Sequence, residues 1–480
     1  MSDERQQLDH LRNIFDLQRS HYSPSRPPSY EQRIDRLNRL EQLCRDHMDE
    51  ITAALSADFG DRHPDYSFLA DIYPPLVHTK HVKSHLRRWM RRQRVSSGLM
   101  ALSGQRTYIV NEPLGVVGIM SPFNAPVSLA LDPAVDAIAA GNTVILKMSE
   151  SAPRTADITQ ALVEKYFKPE EMAVAVGEAE VSKAFAALPW DKLVFTGGSE
   201  VGKRVMAAAG ENLTPVLLEL GGKSPCVVLE DADISKVAPR VARVRQMNAG
   251  QVCISVDYVL VPEQHLEPFV QAVLATDREA YPTFLNNEQA TSIIHEGAYD
   301  RLLSYVDEAR EAGCRVILSD RDNEELPNRE ARKIPLTLVI DPSDELMVAQ
   351  REAFGPILTI FTYRQLDQAI ARINQGEKPL ALYVFGNNRS QINRVINRTS
   401  SGGVTVNDLL LHAGSHTMGF GGVGYSGMGR YKGGFNGYQA FTNPKSVFEQ
   451  GLVGRFTVNI APPITNERVR GWIRRQAGVR

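Results

Sequence analysis

The sequence predicts an α/β fold in which strands and helices alternate around largely parallel sheets. Short β-branched runs alternate with Ala-rich helical segments, and 480 residues exceed what one hydrophobic core usually supports. The strand-like runs of the first half are YIV at 108, VVGIM at 116, TVILK at 143, VAV at 174, KLVFTG at 192, CVVL at 226 and YVLV at 258. After a helical pattern from Tyr299 to Glu311 come RVIL at 315, PLTLVI at 335, PILTIFTY at 356 and ALYVFG at 381. We therefore expect two α/β units in series.

The two ends of the chain have patterns of their own. The first sixty residues predict two helices joined by the linker SPSRPPS, with a capping box at Ser29 and Gln32 where the second begins. A basic run between about 80 and 94 predicts a solvated helix face. The glycine-dense segment from Ser400 to Gly437 has too little apolar periodicity for a helix or strand. We expect it to be an ordered loop that lies over another part of the molecule.

Composition disfavours several classes of function. Lys and Arg number 54 and Asp and Glu 56, so the net charge of −2 gives no basic field, and we expect no nucleic-acid partner. The four cysteines lack metal-ligand or paired spacing, which predicts no metal site and a reducing, cytoplasmic location. The N-terminus has no apolar core, and polar residues interrupt the longest apolar stretch, Leu129 to Leu146. We therefore expect no signal peptide and no membrane span.

Three residues carry the candidate chemistry: Cys253 in NAGQVCISV, Glu219 in LLELGGKSP and Asn124 in SPFNAP. Taken singly, each has a structural interpretation. Cys253 fits an inert buried thiol, Glu219 an ion-pair partner or cap, and Asn124 a turn residue beside proline. Taken together, a thiol nucleophile, a carboxylate base and an amide donor form the minimal set for covalent catalysis at a carbonyl.

A candidate phosphate-binding loop follows the strand-like run KLVFT. In FTGGSEVGKR, Gly197 and Gly202 bracket the expected turn into a helix whose N-terminus would face an anion. Through Lys203 the loop nearly matches a Walker A motif, which keeps a P-loop NTPase or kinase open as an alternative. Arg204 stands where that motif needs a magnesium-binding hydroxyl, and this disfavours the alternative.

A wider set of motifs resembles a known family. SPFN, LKMSE, FTGGSEVG, LELGGKSP, GQVC, REAFGPIL and GFGGVGYSGMG, in this order and at these separations, resemble the NAD(P)-dependent aldehyde dehydrogenase superfamily from about residue 105 to 445. The chain length, the VND at 406 to 408 and the glycine-rich loop are most similar to the class 3 branch. Within that branch they resemble the bacterial coniferyl aldehyde dehydrogenase group.

The resemblance implies a domain organisation. A Rossmann-like cofactor-binding domain with five strands would cover residues 1–96 and 114–219, and an α/β catalytic domain would cover 220–432. Residues 97–113 and 433–480 would form a small oligomerisation arm and the C-terminal tail. Since such an arm bridges subunits in the class 3 branch, the chain is expected to form a homodimer.

The resemblance also implies catalytic roles. Cys253 matches the nucleophile that attacks the aldehyde carbon, and Asn124 with the backbone N–H of Cys253 matches the oxyanion hole. After hydride transfer, Glu219 would activate the water that hydrolyses the thioester to a carboxylic acid. The expected substrate is a small aromatic aldehyde of the coniferaldehyde kind. Medium-chain aliphatic aldehydes, a coenzyme A-acylating reaction and a catalytically idle scaffold are the alternatives.

Four residues match cofactor contacts on the adenosine side. Lys147 and Glu150 of LKMSE would hold the adenosine ribose, and Gly197 and Gly202 would flank the helix that approaches the pyrophosphate. A carboxylate at Glu150 should repel a 2′-phosphate, so NAD is favoured over NADP, although class 3 enzymes can use both.

Two further matches lie on the nicotinamide side. Glu352 of REAFGP would bind the nicotinamide ribose, and the ring of Phe354 would lie beside the nicotinamide. The chain departs from common family patterns at Phe123, where Trp is frequent, and at Ala125, where an aromatic residue is frequent. Those smaller side chains predict room for a bulky substrate.

Overall fold

The computed structural model describes residues 2–96, 104–451, 461–464 and 466–479, and the chain divides into two bodies. The larger body comprises Met1–Trp89 and Pro113–Thr442, and the smaller comprises Met90–Glu112 and Asn443–Arg480. Of the predicted arm and tail, residues 97–103, 452–460, 465 and 480 lie outside the described residues. The boundary between cofactor-binding and catalytic domains near residue 219 stays a prediction.

Helices cover the N-terminal segment and separate most of the strands. In chain order they are α1 (Ser2–His21), α2 (Tyr30–Asp46), α3 (Met48–Phe59), α4 (Pro64–Ser67), α5 (Tyr73–Trp89), α6 (Ser128–Ala140), α7 (Pro153–Tyr166), α8 (Ala179–Ala186), α9 (Ser199–Gly210), α10 (Ile234–Gln246), α11 (Leu266–Ala280), α12 (Glu296–Glu311), α13 (Met347–Gln350), α14 (Leu366–Gln375), α15 (Arg389–Arg398), α16 (Phe435–Ala440) and α17 (Glu467–Gln476). A π-helical turn, Phe68–Ile72, joins α4 to α5, and short 3₁₀ turns lie at Met247–Gly250 and Glu263–His265.

The strands confirm most of the predicted runs. In chain order they are β1 (Gln93–Val95), β2 (Arg106–Pro113), β3 (Val116–Met120), β4 (Thr143–Lys147), β5 (Met172–Ala175), β6 (Lys192–Gly197), β7 (Val216–Leu220), β8 (Pro225–Val228), β9 (Tyr258–Pro262), β10 (Arg315–Leu318), β11 (Thr337–Ile340), β12 (Ile357–Tyr363), β13 (Ala381–Phe385), β14 (Gly403–Val406), β15 (Gly427–Met428) and β16 (Thr442–Glu449). Every run named from the sequence overlaps one of these strands. The strands β1, β7, β14, β15 and β16 have no counterpart among the predicted runs.

The N-terminal helices confirm one prediction and correct another. The capping box is present, since Gln32 N donates to Ser29 Oγ and Ser29 N donates to Gln32 Oε1. The expectation of a single second helix is wrong, because the chain leaves helical geometry at His47 (φ −123°, ψ 22°), between α2 and α3. Apolar residues keep their three- and four-residue spacing across His47, so periodicity does not reveal the break.

A largely parallel sheet forms the first half of the larger body. Its strand order is β15-β7-β6-β3-β4-β5, and the five strands from β7 to β5 run parallel, as expected. The short strand β15 adds an antiparallel edge beside β7, with Gly427 opposite Glu219. Helix α1 packs on this sheet through an edge-to-face contact of Phe15 with Trp190, at 5.0 Å between ring centroids.

A second sheet forms the other half of the larger body. Its strand order is β10-β11-β12-β9-β8-β13-β14, and pairing is parallel except between β10 and β11. Its central strands are buried throughout, which fits their near-continuous apolar sequences. Helices α10 and α11 pack against this sheet in one cluster of buried side chains.

The smaller body carries a separate three-stranded sheet with the order β1-β2-β16. Strands β1 and β2 are antiparallel, with Arg94 opposite Tyr108, and most residues of β16 are exposed. Among the described residues, no helix combines the length and apolar character needed to cross a bilayer.

Candidate active site

A cavity of about 400 Å³ lies where the two sheets of the larger body meet. The first sheet contributes the carboxyl ends of β3, β4, β6 and β7. The second contributes residues that precede its strands: Cys253 lies before β9, and Glu352 and Phe354 lie before β12. The predicted site residues that line the cavity are Asn124, Lys147, Glu150, Gly197, Glu219, Cys253, Glu352 and Phe354. Gly202 does not line it and is buried within α9.

Cys253 lies in the turn between the 3₁₀ segment after α10 and strand β9, and it is half-buried. Burial raises the pKa of its thiol to about 12, and the carboxylates of Glu352 and Glu219 act in the same direction. The backbone N–H groups of Cys253 and Ile254 oppose that rise in pKa. The thiol is therefore neutral at rest and needs a proton acceptor before it can attack a substrate.

Asn124 lies in the loop between β3 and α6 and reaches the segment before the cysteine. Its Nδ2 donates to the carbonyl oxygen of Gln251 at 3.1 Å. Asn248 Nδ2 donates to the carbonyl oxygens of Asn124 (3.1 Å) and Gln251 (3.2 Å). These bonds hold the amide of Asn124 and the Cys253 turn in one buried network.

The polar residues of NAGQVC build that turn, and sequence reasoning missed their part in it. Gln251 Nε2 donates to the carbonyl oxygens of Asn248 (3.0 Å) and Ser292 (3.1 Å). Asn248 has a left-handed backbone, with φ of 51°. At Gly250, with φ of 73°, an added Cβ would lie 2.2 Å from the carbonyl oxygen of Gly355. Asn248, Gly250 and Gln251, three polar or glycine positions among the five residues before Cys253, are the sequence signal that points to this tight turn.

Glu219 lies on β7 and is 2% exposed. Within the described part of the chain, neither of its carboxylate oxygens has a hydrogen-bond partner. Burial raises its pKa well above the ordinary value, and Arg430 opposes that rise only in part. An unpaired buried carboxyl group is costly for stability, which indicates a chemical role.

The glycine-rich segment from Ser400 to Gly437 lies over Glu219, as expected, but the expectation that it contains no helix or strand is wrong. It contains β14, β15 and the start of α16. Its strand β15 pairs with β7, and a Cβ at Gly421 would lie 3.0 Å from Glu219 Oε1. Glycine at this position therefore leaves space beside the carboxyl group.

Glu352 and Phe354 lie on the segment between α13 and β12. Glu352 Oε2 accepts a hydrogen bond from the backbone N–H of Gly222 at 3.0 Å, and a Cβ at Gly221 would lie 2.0 Å from that oxygen. Burial raises the pKa of Glu352 to about 8, with a further contribution from Asp257. Phe354 has a left-handed backbone (φ 48°), and its ring meets Phe123 edge-on at 5.8 Å between centroids.

A buried charge cluster behind Glu352 also escaped prediction. Asp257 pairs with Lys223 and accepts the backbone N–H of Ala353 at 2.9 Å. Lys223 Nζ donates to the carbonyl oxygens of Val348 (2.9 Å) and Arg351 (3.0 Å). These contacts hold the segment that carries Glu352. The residues are distant in sequence, so no local pattern reveals the cluster.

Lys147 and Glu150 lie at the end of β4. Lys147 is 2% exposed, and its Nζ donates to the carbonyl oxygen of Met148 at 2.7 Å and lies 3.6 Å from Glu150 Oε2. Burial lowers the pKa of Lys147, and Glu150 opposes that change. The carboxylate of Glu150 is half-exposed and lines the cavity, where it can accept hydrogen bonds from ligand hydroxyls.

Helix α9 begins at the cavity. Its N-cap is Gly198, which has no side chain to cap the first-turn N–H groups, and these face an anion-binding position. A Cβ at Gly202 would lie 2.7 Å from Leu220 Cδ2, so glycine lets α9 pack closely on β7. The helix N-terminus, the carboxylate of Glu150 and a cavity that continues to Cys253 fit a dinucleotide such as NAD(P).

The chain is similar to known proteins over nearly its whole length. The model of the aldehyde dehydrogenase family matches residues 14–447. A probable coniferyl aldehyde dehydrogenase of Caulobacter vibrioides is 42% identical over 442 residues, which are 92% of this chain and 91% of that protein. A coniferyl aldehyde dehydrogenase of a Pseudomonas species is 40% identical over 465 residues, 97% of this chain and 96% of that protein. The solved structure of the substrate-bound state of Staphylococcus aureus AldH has a TM-score of 0.90 and 33% identity, covering 97% of this chain and 99% of that one.

Proposed function

Since the chain belongs to the aldehyde dehydrogenase family, we propose that it oxidises aromatic aldehydes of the coniferaldehyde kind, with NAD as its preferred cofactor. Oxidation of an aldehyde to a carboxylic acid with NAD(P) follows from the family. The aromatic substrate, the choice of NAD and the residue roles are our proposal. The observation that carries it is the convergence of Cys253, Asn124 and Glu219 on one cavity.

Cys253 is the proposed nucleophile. Its neutral thiol must lose a proton before the sulfur bonds to the aldehyde carbon, because only the thiolate is a strong nucleophile. Glu219 and Glu352 are the carboxylates that influence this thiol, and both have raised pKa values because of burial. A carboxylate with a raised pKa is a better proton acceptor, which supports proton removal by one of these two groups.

Asn124 is the proposed oxyanion donor. When sulfur adds to the carbonyl carbon, negative charge develops on the aldehyde oxygen, and donors held in place beforehand stabilise that charge. One N–H of the Asn124 amide is held by the Gln251 carbonyl, which fixes the direction of the other. The backbone N–H of Cys253 is the proposed second donor.

The cofactor contacts are proposed for residues along the same cavity. NAD(P), when bound, accepts the hydride that leaves the substrate carbon. We assign Lys147 and Glu150 to the adenosine ribose and the N-terminus of α9 to the pyrophosphate, because Lys147, Glu150 and the N-cap Gly198 line the cavity. Glu352 is held by Gly222 and by the Lys223–Asp257 pair behind it, as a ribose-binding carboxylate requires. Glu150 disfavours a 2′-phosphate, which supports NAD over NADP.

Glu219 is the proposed base for thioester hydrolysis. Its carboxyl group has no hydrogen-bond partner in the described part of the chain, so its oxygens are available to a water molecule. Its raised pKa makes it a stronger base than an exposed glutamate. Hydrolysis by this route releases a carboxylic acid, which supports the dehydrogenase over the coenzyme A-acylating alternative.

An aromatic surface beside the nucleophile supports the aromatic substrate. Phe123 precedes Asn124, and it contacts both Phe354, at 5.8 Å between centroids, and Phe59, at 6.4 Å. Aromatic rings prefer edge-to-face or offset contacts with other rings, so this surface suits a planar substrate. Relatives named as coniferyl aldehyde dehydrogenases, at about 40% identity over nearly the whole chain, support the same substrate class.

A steady-state comparison tests the substrate proposal. Initial rates of NAD and NADP reduction are measured with coniferaldehyde, benzaldehyde and hexanal, with and without coenzyme A. We expect the highest kcat/KM with coniferaldehyde and NAD, and no effect of coenzyme A. A preference for hexanal would favour the medium-chain alternative. Rates that depend on coenzyme A would favour the acylating one.

A further inference from the structure

We propose that the buried ion pair of Arg62 and Asp71 is a positioning element for Asn124. The inference rests on the proposed role of Asn124 as the oxyanion donor. Neither Arg62 nor Asp71 lines the cavity. They act through the backbone at the start of α6 and through two aromatic residues, Phe59 and Phe123, of which Phe123 precedes Asn124.

Arg62 lies at the centre of a packed aromatic cluster. It is 1% exposed, and its Nη2 donates to Asp71 Oδ2 at 2.8 Å. Its guanidinium lies 4.7 Å from the ring centroid of Phe59 and 5.1 Å from that of Tyr66. Two rings and one carboxylate therefore fix the plane of this guanidinium.

Asp71 connects this cluster to the segment that carries Asn124. Its Oδ1 accepts hydrogen bonds from the backbone N–H groups of Val127 (2.9 Å) and Ser128 (3.3 Å), where α6 begins. Val127 is the N-cap of α6 and makes no side-chain cap bond, so Asp71 takes the place of a capping residue. Asn124 lies three residues before that anchored position.

The loop between β3 and α6 depends on anchors at its two ends. At the first end, Ser121 N donates to the carbonyl oxygen of Lys147 at 3.0 Å. Within the loop, Pro122 and Pro126 have no N–H to donate. At the far end the anchor is Asp71. Removal of its carboxyl group would leave this end of the loop held by the bond from Ser121 Oγ to the Pro126 carbonyl oxygen (2.7 Å), and so would weaken the support of the Asn124 backbone.

A second connection runs through side chains. Phe59, which stacks on Arg62, contacts Phe123 at 6.4 Å between centroids, and Phe123 precedes Asn124 in the chain. The segment that carries Asn124 is thus supported in two ways. Asp71 binds its backbone, and Phe59, which stacks on Arg62, contacts the ring of Phe123.

Stability alone does not account for the pair. Replacing a buried ion pair by apolar residues of similar volume is often neutral or stabilising. Nε and Nη1 of Arg62 are buried and have no hydrogen-bond partner in the described part of the chain, so the pair is not arranged for maximal stability. The hydrogen bonds that Asp71 accepts from Val127 and Ser128 indicate that it instead fixes the position of the start of α6.

Two double variants separate the effect of the hydrogen bonds that Asp71 accepts from the effect of the two charges. Arg62→Met with Asp71→Asn removes both charges and keeps an oxygen that can accept from Val127 and Ser128. Arg62→Met with Asp71→Leu removes both charges and that acceptor. Stopped flow at saturating aldehyde and NAD measures the rate of acyl-enzyme formation in the first turnover of each variant. Titration of the aldehyde and of NAD measures the KM of each substrate. Arg36→Met with Glu171→Leu is the control, because it removes a largely buried ion pair (3.2 Å), and with it the contact of Glu171 with Arg39 (2.8 Å), and neither residue lines the cavity.

We expect the Asp71→Leu variant to form the acyl-enzyme about 10- to 100-fold more slowly, with KM for NAD unchanged. The Asp71→Asn variant should stay within about threefold of wild type, and the control pair should change only the unfolding temperature. Equal rates in the two Arg62 variants, whether fast or slow, would overturn the inference.

A parallel variant keeps the two proposals distinguishable. If Asn124→Ala leaves the acylation rate unchanged, the proposed function of Asn124 has failed. If Asn124→Ala slows acylation while the Asp71→Leu variant does not, the positioning inference has failed alone. Should the Leu variant not fold, Arg62→Met with Asp71→Ala removes the same acceptor with less bulk and is judged by the same comparison.

Discussion

At the scale of single residues, burial sets the resting protonation of the groups that react. It raises the pKa of Cys253 to about 12 and that of Glu219 well above the ordinary value. Burial therefore favours the neutral form of both groups, because an unpaired charge is costly in a closed site. In the proposed cycle each of them acts in its deprotonated form.

The first prediction concerns the pH dependence of thioester hydrolysis. A general base acts in its deprotonated form, so a raised pKa at Glu219 means that the hydrolysis rate climbs as pH rises through that pKa. Glu219→Gln should hydrolyse the acyl-enzyme about 10²- to 10⁴-fold more slowly, without this pH dependence. Quenched-flow assays of acyl-enzyme decay across pH 6 to 9 measure both. A rising profile that survives in Glu219→Gln would contradict the assignment.

The second prediction concerns cofactor choice. Glu150→Gln removes the carboxylate that should repel a 2′-phosphate, and the amide keeps a similar shape. We expect the Kd for NADP to fall about tenfold relative to the Kd for NAD, equivalent to about 1.4 kcal/mol. Fluorescence titration of each cofactor on the free protein checks the change without turnover. An unaltered ratio of the two affinities would show that Glu150 does not set the preference.

At the scale of elements, helix α9 and strand β7 must pack closely for the helix N-terminus to face the cavity. Gly202 provides that contact, since an added Cβ would lie 2.7 Å from Leu220 Cδ2. Leu220 follows Glu219 on β7, so the same contact supports the proposed base.

The third prediction tests that packing. Gly202→Val should push α9 away from β7, lower the free energy of unfolding by about 1–3 kcal/mol and weaken NAD binding. Thermal unfolding and cofactor titration measure the two effects. Gly198→Ser is the stability control, because a Cβ at Gly198 meets nothing within 4 Å, and its effect on stability should stay within about 0.5 kcal/mol. Equal unfolding temperatures for the two variants would show that close packing at Gly202 is unimportant.

Most elements of the fold can be predicted from sequence, for identifiable reasons. Buried strands such as β4 and β13 are continuous apolar, β-branched runs, and Ser29 with Gln32 is a local capping signal. The strand β7 is less evident because Glu219 interrupts its apolar run. Edge strands such as β1 and β15 are too short and too exposed to leave a periodic signal.

The candidate site is only partly predictable. Cys253, Glu219 and Asn124 are marked by unusual local settings, and the structure brings all three to one cavity. The residues that hold these three side chains in place have no such signal in their local sequence. Asp257 acts on the Ala353 backbone across 96 positions, and Asp71 on Val127 across 56, so these links exist only in the folded chain.

At the scale of the whole molecule, the smaller body is the proposed site of contact between two chains. Most residues of its outer strands β1 and β16 are exposed, and β2 between them is mostly half-buried. Within the described residues, this body contributes none of the cavity-lining side chains. Exposed edge strands tend to pair with another chain. This supports the proposal that the arm joins two chains into a homodimer.

The fourth prediction concerns assembly. Light scattering after size-exclusion chromatography should give twice the chain mass of 53.3 kDa across a range of concentrations. A chain ending before Asn443, which lacks β16, should give the mass of one chain, and one-chain mass for the full protein would contradict the dimer. Circular dichroism is the control that the shortened chain retains its folded secondary structure.

The most direct test of covalent catalysis at Cys253 is mass spectrometry of Glu219→Gln protein mixed with coniferaldehyde and NAD. Because hydrolysis is slowed in this variant, we predict an acyl adduct on the peptide that contains Cys253. The adduct should be absent without NAD and absent when Cys253→Ala is added to Glu219→Gln. No adduct, or an adduct on another residue while NAD is still reduced, would contradict the account.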